Sequence, residues 1–339
     1  MTAGAPEHRI HELPILVLLP HNRCNCRCVM CDIWRIRQVR EITERDLEPH
    51  VSSLRALGVR WVVLSGGEPL MHSDLPALCR TLRLERIRLT LLTAGLSMER
   101  HAANVAGLFD DVIVSLDGPP EVHDRIRAVA GAFVRLERGL GALRSLRPEM
   151  PVHGRCTVQK HNCRELRRTV RAAADLGLGS ISFLAADLTS SAFNRPEGWT
   201  AERRREAALT PDDADALEGE IDSLAADCLG DFATGFILES PEKLRRIARH
   251  FRAHLGQVPP VAPRCNAPWV SAVVEADGRV RPCFFHDPVG SIGDGRLADV
   301  LNGEEALRFR RNLDVSTNPI CRNCVCSLFV SREQDLGAP

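Results

Sequence analysis

Cys24, Cys26, Cys28 and Cys31 crowd together near one end of the chain, and Cys321, Cys324 and Cys326 near the other, with Cys265 and Cys283 upstream. The other four of the thirteen cysteines, Cys79, Cys156, Cys163 and Cys228, are scattered and read as small buried hydrophobes. Cys24-x3-Cys28-x2-Cys31 puts three thiolates on one short loop. Three thiolates can hold three irons of a 4Fe–4S cube and leave the fourth iron open, as a catalytic zinc keeps an open position. A zinc knuckle is the alternative, although it usually shows paired C-x2-C units. Cys26 offers a second frame for the same loop. In the other group, Cys265-x12-Gly278-x4-Cys283 and Cys321-x2-Cys324 supply four thiolates for a closed site, which zinc and an iron–sulfur cluster fit equally by residue type. An odd cysteine count without an export signal argues against a disulfide framework.

The segments that must position these thiols alternate in type. Residues 15–19, 61–64, 87–92, 111–116, 152–158 and 180–184 are short apolar runs that predict strands. Between them, 43–57, 74–82, 99–108, 132–146 and 164–176 have helical spacing. This order implies right-handed βαβ units in a parallel sheet, doubly wound or partly closed, with chemistry at the C-terminal strand ends. The first cysteine loop follows the first strand. Residues 211–227 and 240–255 look helical within an otherwise polar, arginine-rich stretch. Strands at 270–276 and 279–283 flank Asp277-Gly278, a hairpin signal.

Lysine plus arginine is 44 and aspartate plus glutamate is 44, so the net charge is zero, and 44% of the residues are hydrophobic. This excludes a disordered chain and a nucleic-acid binder that rests on bulk charge. The longest apolar runs are too short to span a bilayer, and the N-terminus lacks the zones of a signal peptide. A cytoplasmic location is expected.

After the second strand stands Ser65-Gly66-Gly67-Glu68-Pro69, after the third Leu92-Thr93-Ala94-Gly95, and after the fourth Val114-Ser115-Leu116-Asp117-Gly118-Pro119, followed by His123-Asp124-Arg125-Ile126-Arg127. With the cysteine loop, this series resembles the radical S-adenosylmethionine (radical SAM) family over most of the chain. The resemblance implies an α/β fold, a partial (β/α)6 TIM-like barrel over residues 12–192, after a tail at 1–11. It also implies that Cys24, Cys28 and Cys31 bind a 4Fe–4S cluster, with Cys26 a non-ligand, and that the open iron takes the amino and carboxylate groups of SAM. Gly66, Gly67 and Glu68 would hold the methionyl amine, and Ser115 and Asp117 would lie near the ribose or carboxylate. Pro69, Thr93 and Arg127 belong to the same cofactor-binding motifs. Gln159, Asn162 and Leu184 would border the adenine, and Met30 would pack on it where many relatives have an aromatic residue.

The C-x12-G-x4-C element is similar to the opening of a SPASM or twitch domain, a small β-hairpin and helix unit expected at 263–330. Residues 193–262 would be a polar linker with helices, and 331–339 a tail. Five cysteines point to the shorter twitch form, with one auxiliary 4Fe–4S cluster on Cys265, Cys283, Cys321 and Cys324. Cys326 competes with Cys324 for the fourth position.

The activity implied is reductive cleavage of SAM to a 5′-deoxyadenosyl radical, hydrogen abstraction from substrate, and electron transfer to the auxiliary cluster. Dehydrogenation and epimerisation are the expected outcomes, with a flavodoxin- or ferredoxin-type electron donor. With only about 12 residues before the first strand, the peptide-recognition domain of many peptide-modifying relatives is expected to be absent. That tilts the expectation towards a small polar, aminocyclitol- or sugar-like substrate. A ribosomal-peptide maturase is the alternative, and a non-enzymatic zinc or iron–sulfur electron-transfer protein the third reading. Within strand five, Arg155 is the first choice for a substrate contact, and Cys163 is a candidate hydrogen-atom donor. His123 is expected to orient the loop after strand four, His286 to lie on the surface, and the arginines between 200 and 205 to form a solvated helix face.

Overall fold

Six parallel strands run in sequence order across a half-barrel: β1 Ile15–His21, β2 Trp61–Gly66, β3 Arg88–Thr93, β4 Asp111–Ser115, β5 Val152–Val158 and β6 Ser180–Ala185. The computed structural model describes residues 8–331; the ends of both expected tails, 1–7 and 332–339, lie outside the described residues. One row of side chains, including Leu16, Leu18, Val62, Leu64, Leu89, Leu91, Val112 and Val114, is fully buried in the core. The alternate row is half-buried in β5, where His153, Arg155 and Thr157 alternate with buried Gly154, Cys156 and Val158, while members such as Ile15, Thr90 and Ser182 are buried in other strands. In β5 the strand period of two therefore sorts the buried residues Cys156 and Val158 to one face and the polar ones to the other.

Pro20 was expected to end the first strand. β1 instead continues through it to His21, and the register with β2 shifts between Leu18 and His21, where proline has no N–H to give. The polar stretch Pro120–Arg127 forms an unanticipated helix after β4, entered through Pro120 and closed by Ala128 in the left-handed region.

The hairpin extends the barrel sheet. β7 (Ser271–Val274) pairs parallel to β1, and β8 (Arg279–Arg281) and β9 (Gly290–Ser291) continue antiparallel, giving a nine-stranded order β6-β5-β4-β3-β2-β1-β7-β8-β9. The stretch expected as a linker is also packed. Helices Pro211–Asp227 and Pro241–His254 lie against each other and the second against β6, burying Leu217, Ile221, Leu224, Leu244, Ile247 and Phe251 at helical spacing. Among the described residues no helix is long and apolar enough to cross a membrane.

Candidate functional site

The loop after β1 brings Cys24, Cys28 and Cys31 together at the C-terminal ends of the strands. It hangs from the unanticipated helix: Arg27 and Val29 donate backbone N–H to the carbonyls of Arg127 and Ile126, both at 3.0 Å. It also meets the Gly-Gly-Glu turn, where Glu68 N–H donates to Arg23 O at 2.7 Å. A Cβ at Gly67 would lie 2.0 Å from Arg23 O, so glycine is required there by the cysteine loop itself. The close approach anticipated for a ligand is made first by the protein's own backbone.

Glu68 is buried at the junction of the ends of β2 and β3. Its carboxylate accepts from Thr93 Oγ1 (2.7 Å), Ala94 N (2.8 Å) and Leu70 N (3.2 Å). Burial pushes its pKa up, against those three donors. With three acceptor sites used, the carboxylate serves chiefly as a tie between strands, which narrows the expected contact to a SAM amine. Asp117 is likewise buried. It pairs with Arg127 (2.6 Å) and accepts Thr157 N–H (3.0 Å), while Arg127 Nη1 reaches Cys28 Sγ at 3.6 Å. Arg127 thus links the acid to the cysteine loop.

The thiols of the loop are not equivalent. The Cys26 thiol shares hydrogen bonds with Cys24 and Cys28 and is pushed far up, so it stays protonated. Cys28 is lowered to about 7 by that bond to Cys26, with help from Arg127 and against burial. Cys31 is raised to about 12 by burial and by the charge of Cys28.

At the ends of β5 and β6 the expected residues separate. Gln159 is fully buried, and neither its Oε1 nor its Nε2 has a partner. Asn162 is consumed by its own turn: Nδ2 donates to Asp117 O (3.0 Å) and Thr157 O (3.1 Å), and Oδ1 accepts Gln159 N–H (2.7 Å). Its side chain therefore braces the loop and is not presented to a cofactor. Ser115 and Leu184 are half-buried, and Pro69 is buried at the head of a short 3-10 turn. Arg155 is half-buried and donates to Ser182 Oγ at 3.2 Å. Cys163 is not brought to the barrel. It is buried in the turn after β5, its thiol donating to Lys160 O (3.4 Å) and raised to about 11 by burial, which corrects the expected hydrogen-donor role.

Sequence reasoning missed a network on the far side of the cysteine loop. Trp199 Nε1 donates to Asp32 Oδ2 (2.5 Å), and Arg203 reaches Asp32 Oδ1 (3.2 Å) and Val29 O (2.8 Å). Arg195, buried, donates to Met30 O (2.7 Å) and Asp187 Oδ2 (3.0 Å), with Trp199 stacked on its guanidinium at 3.8 Å. Arg203 is therefore no solvated helix residue. Phe193 O accepts Asp32 N–H (3.2 Å), and its ring packs on Phe284 at 4.9 Å, beside Cys283.

Cys265, Cys283, Cys321 and Cys324 line one small void of about 30 Å³. Cys326 stands outside it, at the edge of a separate groove. His286 is buried, with Nε2 3.4 Å from Cys321 Sγ and its ring against Phe309, correcting the expected surface position. Burial raises Cys321 to about 12, helped by the charges of Cys283 and Cys265.

Among the described residues no three His, Cys, Asp or Glu side chains sit close enough to grip one metal ion. The sulfurs of both groups do receive N–H donors. These are Cys26 N on Cys24 (3.4 Å), Ile33 N on Cys31 (3.5 Å), Arg127 on Cys28, and Ala267 N on Cys265 (3.4 Å). Such donors suit the thiolates of iron–sulfur clusters, so the donor sets fit a three-thiolate open cluster and a four-thiolate closed one. A cavity of about 510 Å³ is bounded by Leu19, Gly66, Gly67, Arg195, Arg281 and Phe284, and none of the seven cysteines of those donor sets lines it.

A half-barrel with an open cysteine loop at its mouth and a closed four-cysteine site on the same sheet defines an enzyme built around two iron–sulfur centres. Residues 18–184 match the Radical SAM superfamily, and 265–325 match SPASM, an iron–sulfur cluster-binding domain. The chain belongs to the radical SAM superfamily and carries a C-terminal SPASM-type auxiliary domain. Fe-coproporphyrin III synthase of Methanosarcina barkeri (strain Fusaro / DSM 804) is 32% identical over 158 residues, 45% of this chain and 39% of that protein. The chain thus spans about two fifths of that relative's length. PqqA peptide cyclase of Ruegeria pomeroyi (strain ATCC 700808 / DSM 15171 / DSS-3) is 26% identical over 313 residues, 88% of this chain and 73% of that protein. Streptococcus suis SuiB bound to S-adenosylmethionine has the same fold, with a TM-score of 0.64 at 14% identity over 94% of this chain and 74% of that one.

Proposed function

We propose that the chain modifies a carbon of a peptide substrate by radical SAM chemistry. The observation that carries this reading is the match to PqqA peptide cyclase, which runs over 88% of the chain and so includes both domains. The match to the coproporphyrin synthase covers 45% of the chain. The aminocyclitol- or sugar-like substrate expected from the sequence rested on the short segment before β1. The half-buried row His153, Arg155 and Thr157 serves a peptide's carbonyls and carboxylates as well as it serves hydroxyls, so it does not favour the smaller molecule.

Cys24, Cys28 and Cys31 would hold the catalytic cluster, and Cys265, Cys283, Cys321 and Cys324 the auxiliary one. When bound, that catalytic cluster would supply the electron for reductive cleavage of SAM, and the resulting 5′-deoxyadenosyl radical would take a hydrogen atom from the substrate. The chain's own residues then orient and protect. Cys26 donates to its thiolate neighbours, and Arg127 holds Cys28 against Asp117. Gln159 offers a buried amide with both ends free. Arg155 positions an oxygen of the substrate near the barrel mouth. A flavodoxin- or ferredoxin-type protein would deliver the electron.

The test is deuterium transfer under anaerobic, reducing conditions. Small peptides encoded beside this gene are made perdeuterated and incubated with the holoenzyme and SAM. Deuterium in 5′-deoxyadenosine, with a matching mass change in one peptide, is expected. Transfer from a labelled aminocyclitol or sugar, with none from any peptide, would overturn the reading.

A further inference from the structure

A second cavity, about 330 Å³, lies outside the half-barrel between the helix Pro241–His254, the end of β6 and the last cysteines. Its volume is at the lower end of the roughly 300–1,000 Å³ of ordinary ligand pockets. Four cations line it, Lys243, Arg246, Arg249 and Arg322, and no carboxylate does. In a chain of zero net charge that separation is a local feature of the surface. Lys243 is partly engaged by Glu239 (3.3 Å), and Arg322 donates to Pro260 O (3.0 Å). Arg246 and Arg249 are exposed, and among the described residues no carboxylate pairs with either.

The wall between these cations is apolar, formed by Leu184, Ile247, Val261 and Val325, with Val261 largely exposed. The groove also borders exposed Cys326 and, on β6, half-buried Leu184. Leu184 stands two residues from Ser182, the hydrogen-bond partner of Arg155, on the same face of β6, so the groove adjoins the polar row of the barrel. A narrow apolar trough with cations along its rim suits an extended segment with alternating acidic and aliphatic side chains. It is too small to seat a nucleic-acid duplex.

We propose that this groove binds an acidic, partly apolar segment of the peptide substrate and so presents the neighbouring residue to the barrel. The assignment rests on the peptide reading above and adds the charge class of the substrate and its side of entry. Electrostatic complementarity of this kind sets which partner is accepted.

Fluorescein-labelled peptides of five Glu-Leu, Gln-Leu or Lys-Leu repeats serve as probes with the SAM-loaded holoenzyme, read by anisotropy. The Glu-Leu peptide is expected to bind best and to weaken as salt rises. Its affinity should fall about tenfold in Arg246→Glu/Arg249→Glu, two exposed positions outside the site, with substrate-free SAM cleavage unchanged. Equal binding of the three peptides, no binding of the acidic one, or unaltered affinity in the double variant would overturn the proposal. Deuterium transfer from a peptide that ignores the groove would keep the function and discard the groove. Transfer from small molecules alone would discard the peptide reading itself.

Discussion

His123 lies fully buried beneath the catalytic loop, in the helix that carries Arg127 at its end. Its Nδ1 accepts Asp117 N–H at 3.3 Å, and burial lowers the ring to about 3. The unfolded ring keeps its ordinary value of about 6.5. On acidification the unfolded state therefore takes the proton first, and the stability His123 contributes is present above about pH 6.5 and lost as pH falls towards 3. Between pH 7.5 and 6.0 this predicts a loss of about 1 kcal/mol. His123→Asn keeps an acceptor for Asp117 and removes the titration. Its denaturant midpoint should fall less than that of the wild type over the same interval, and equal slopes would reject the assignment. The expected role of His123, orienting the loop after β4, was readable from its place in the motif. Its helix was not, because five of the eight residues of Pro120–Arg127 are polar and its buried residues Val122, His123, Ile126 and Arg127 include two that sequence patterns count as exterior.

At the scale of elements, the barrel strands were legible because each is a short apolar run, the first four followed by a motif, and their observed bounds lie within two residues of those expected at every end. The segment between β6 and Pro211–Asp227 was illegible for the opposite reason. Asp187, Arg195, Trp199 and Arg203 have no periodic pattern. Their partners Met30 and Asp32 are more than 150 residues away in sequence. Phe193 and Asn194, both with left-handed backbone (φ 59° and 64°), turn this strap so that one side grips the cysteine loop and the other meets Phe284. Replacing Arg195 by glutamine would leave Asp187 buried without its cation, at a cost on the order of 3–5 kcal/mol. Faster hydrogen exchange over residues 27–33 should accompany that loss, with the strands β2 to β4 unaffected. Unchanged protection of 27–33 would show that the loop does not depend on the strap.

At the scale of the whole molecule, the sheet is what relates the two cysteine sites. The first loop leaves the end of β1, β7 is the neighbour of β1, and Cys283 follows β8, so both sites share one hydrogen-bonded frame. Among the described residues beyond Leu313 regular structure is sparse: one helix, Pro319–Arg322, and a few ties such as Asn266 with Val330 and Leu328. If Cys321 and Cys324 hold the auxiliary cluster as proposed, such a segment would take its order from that metal. Two 4Fe–4S centres correspond to about eight irons per chain. In Cys321→Ala the iron content should fall to about four per chain. Exchange should quicken over residues 318–329, while the six barrel strands keep their protection because their core is independent of that segment. SAM cleavage should persist, since Cys24, Cys28 and Cys31 are untouched, and product should no longer form. Loss of cleavage together with product would mean that the auxiliary segment is needed to build the catalytic site, and that the shared sheet transmits structure as well as fixing distance.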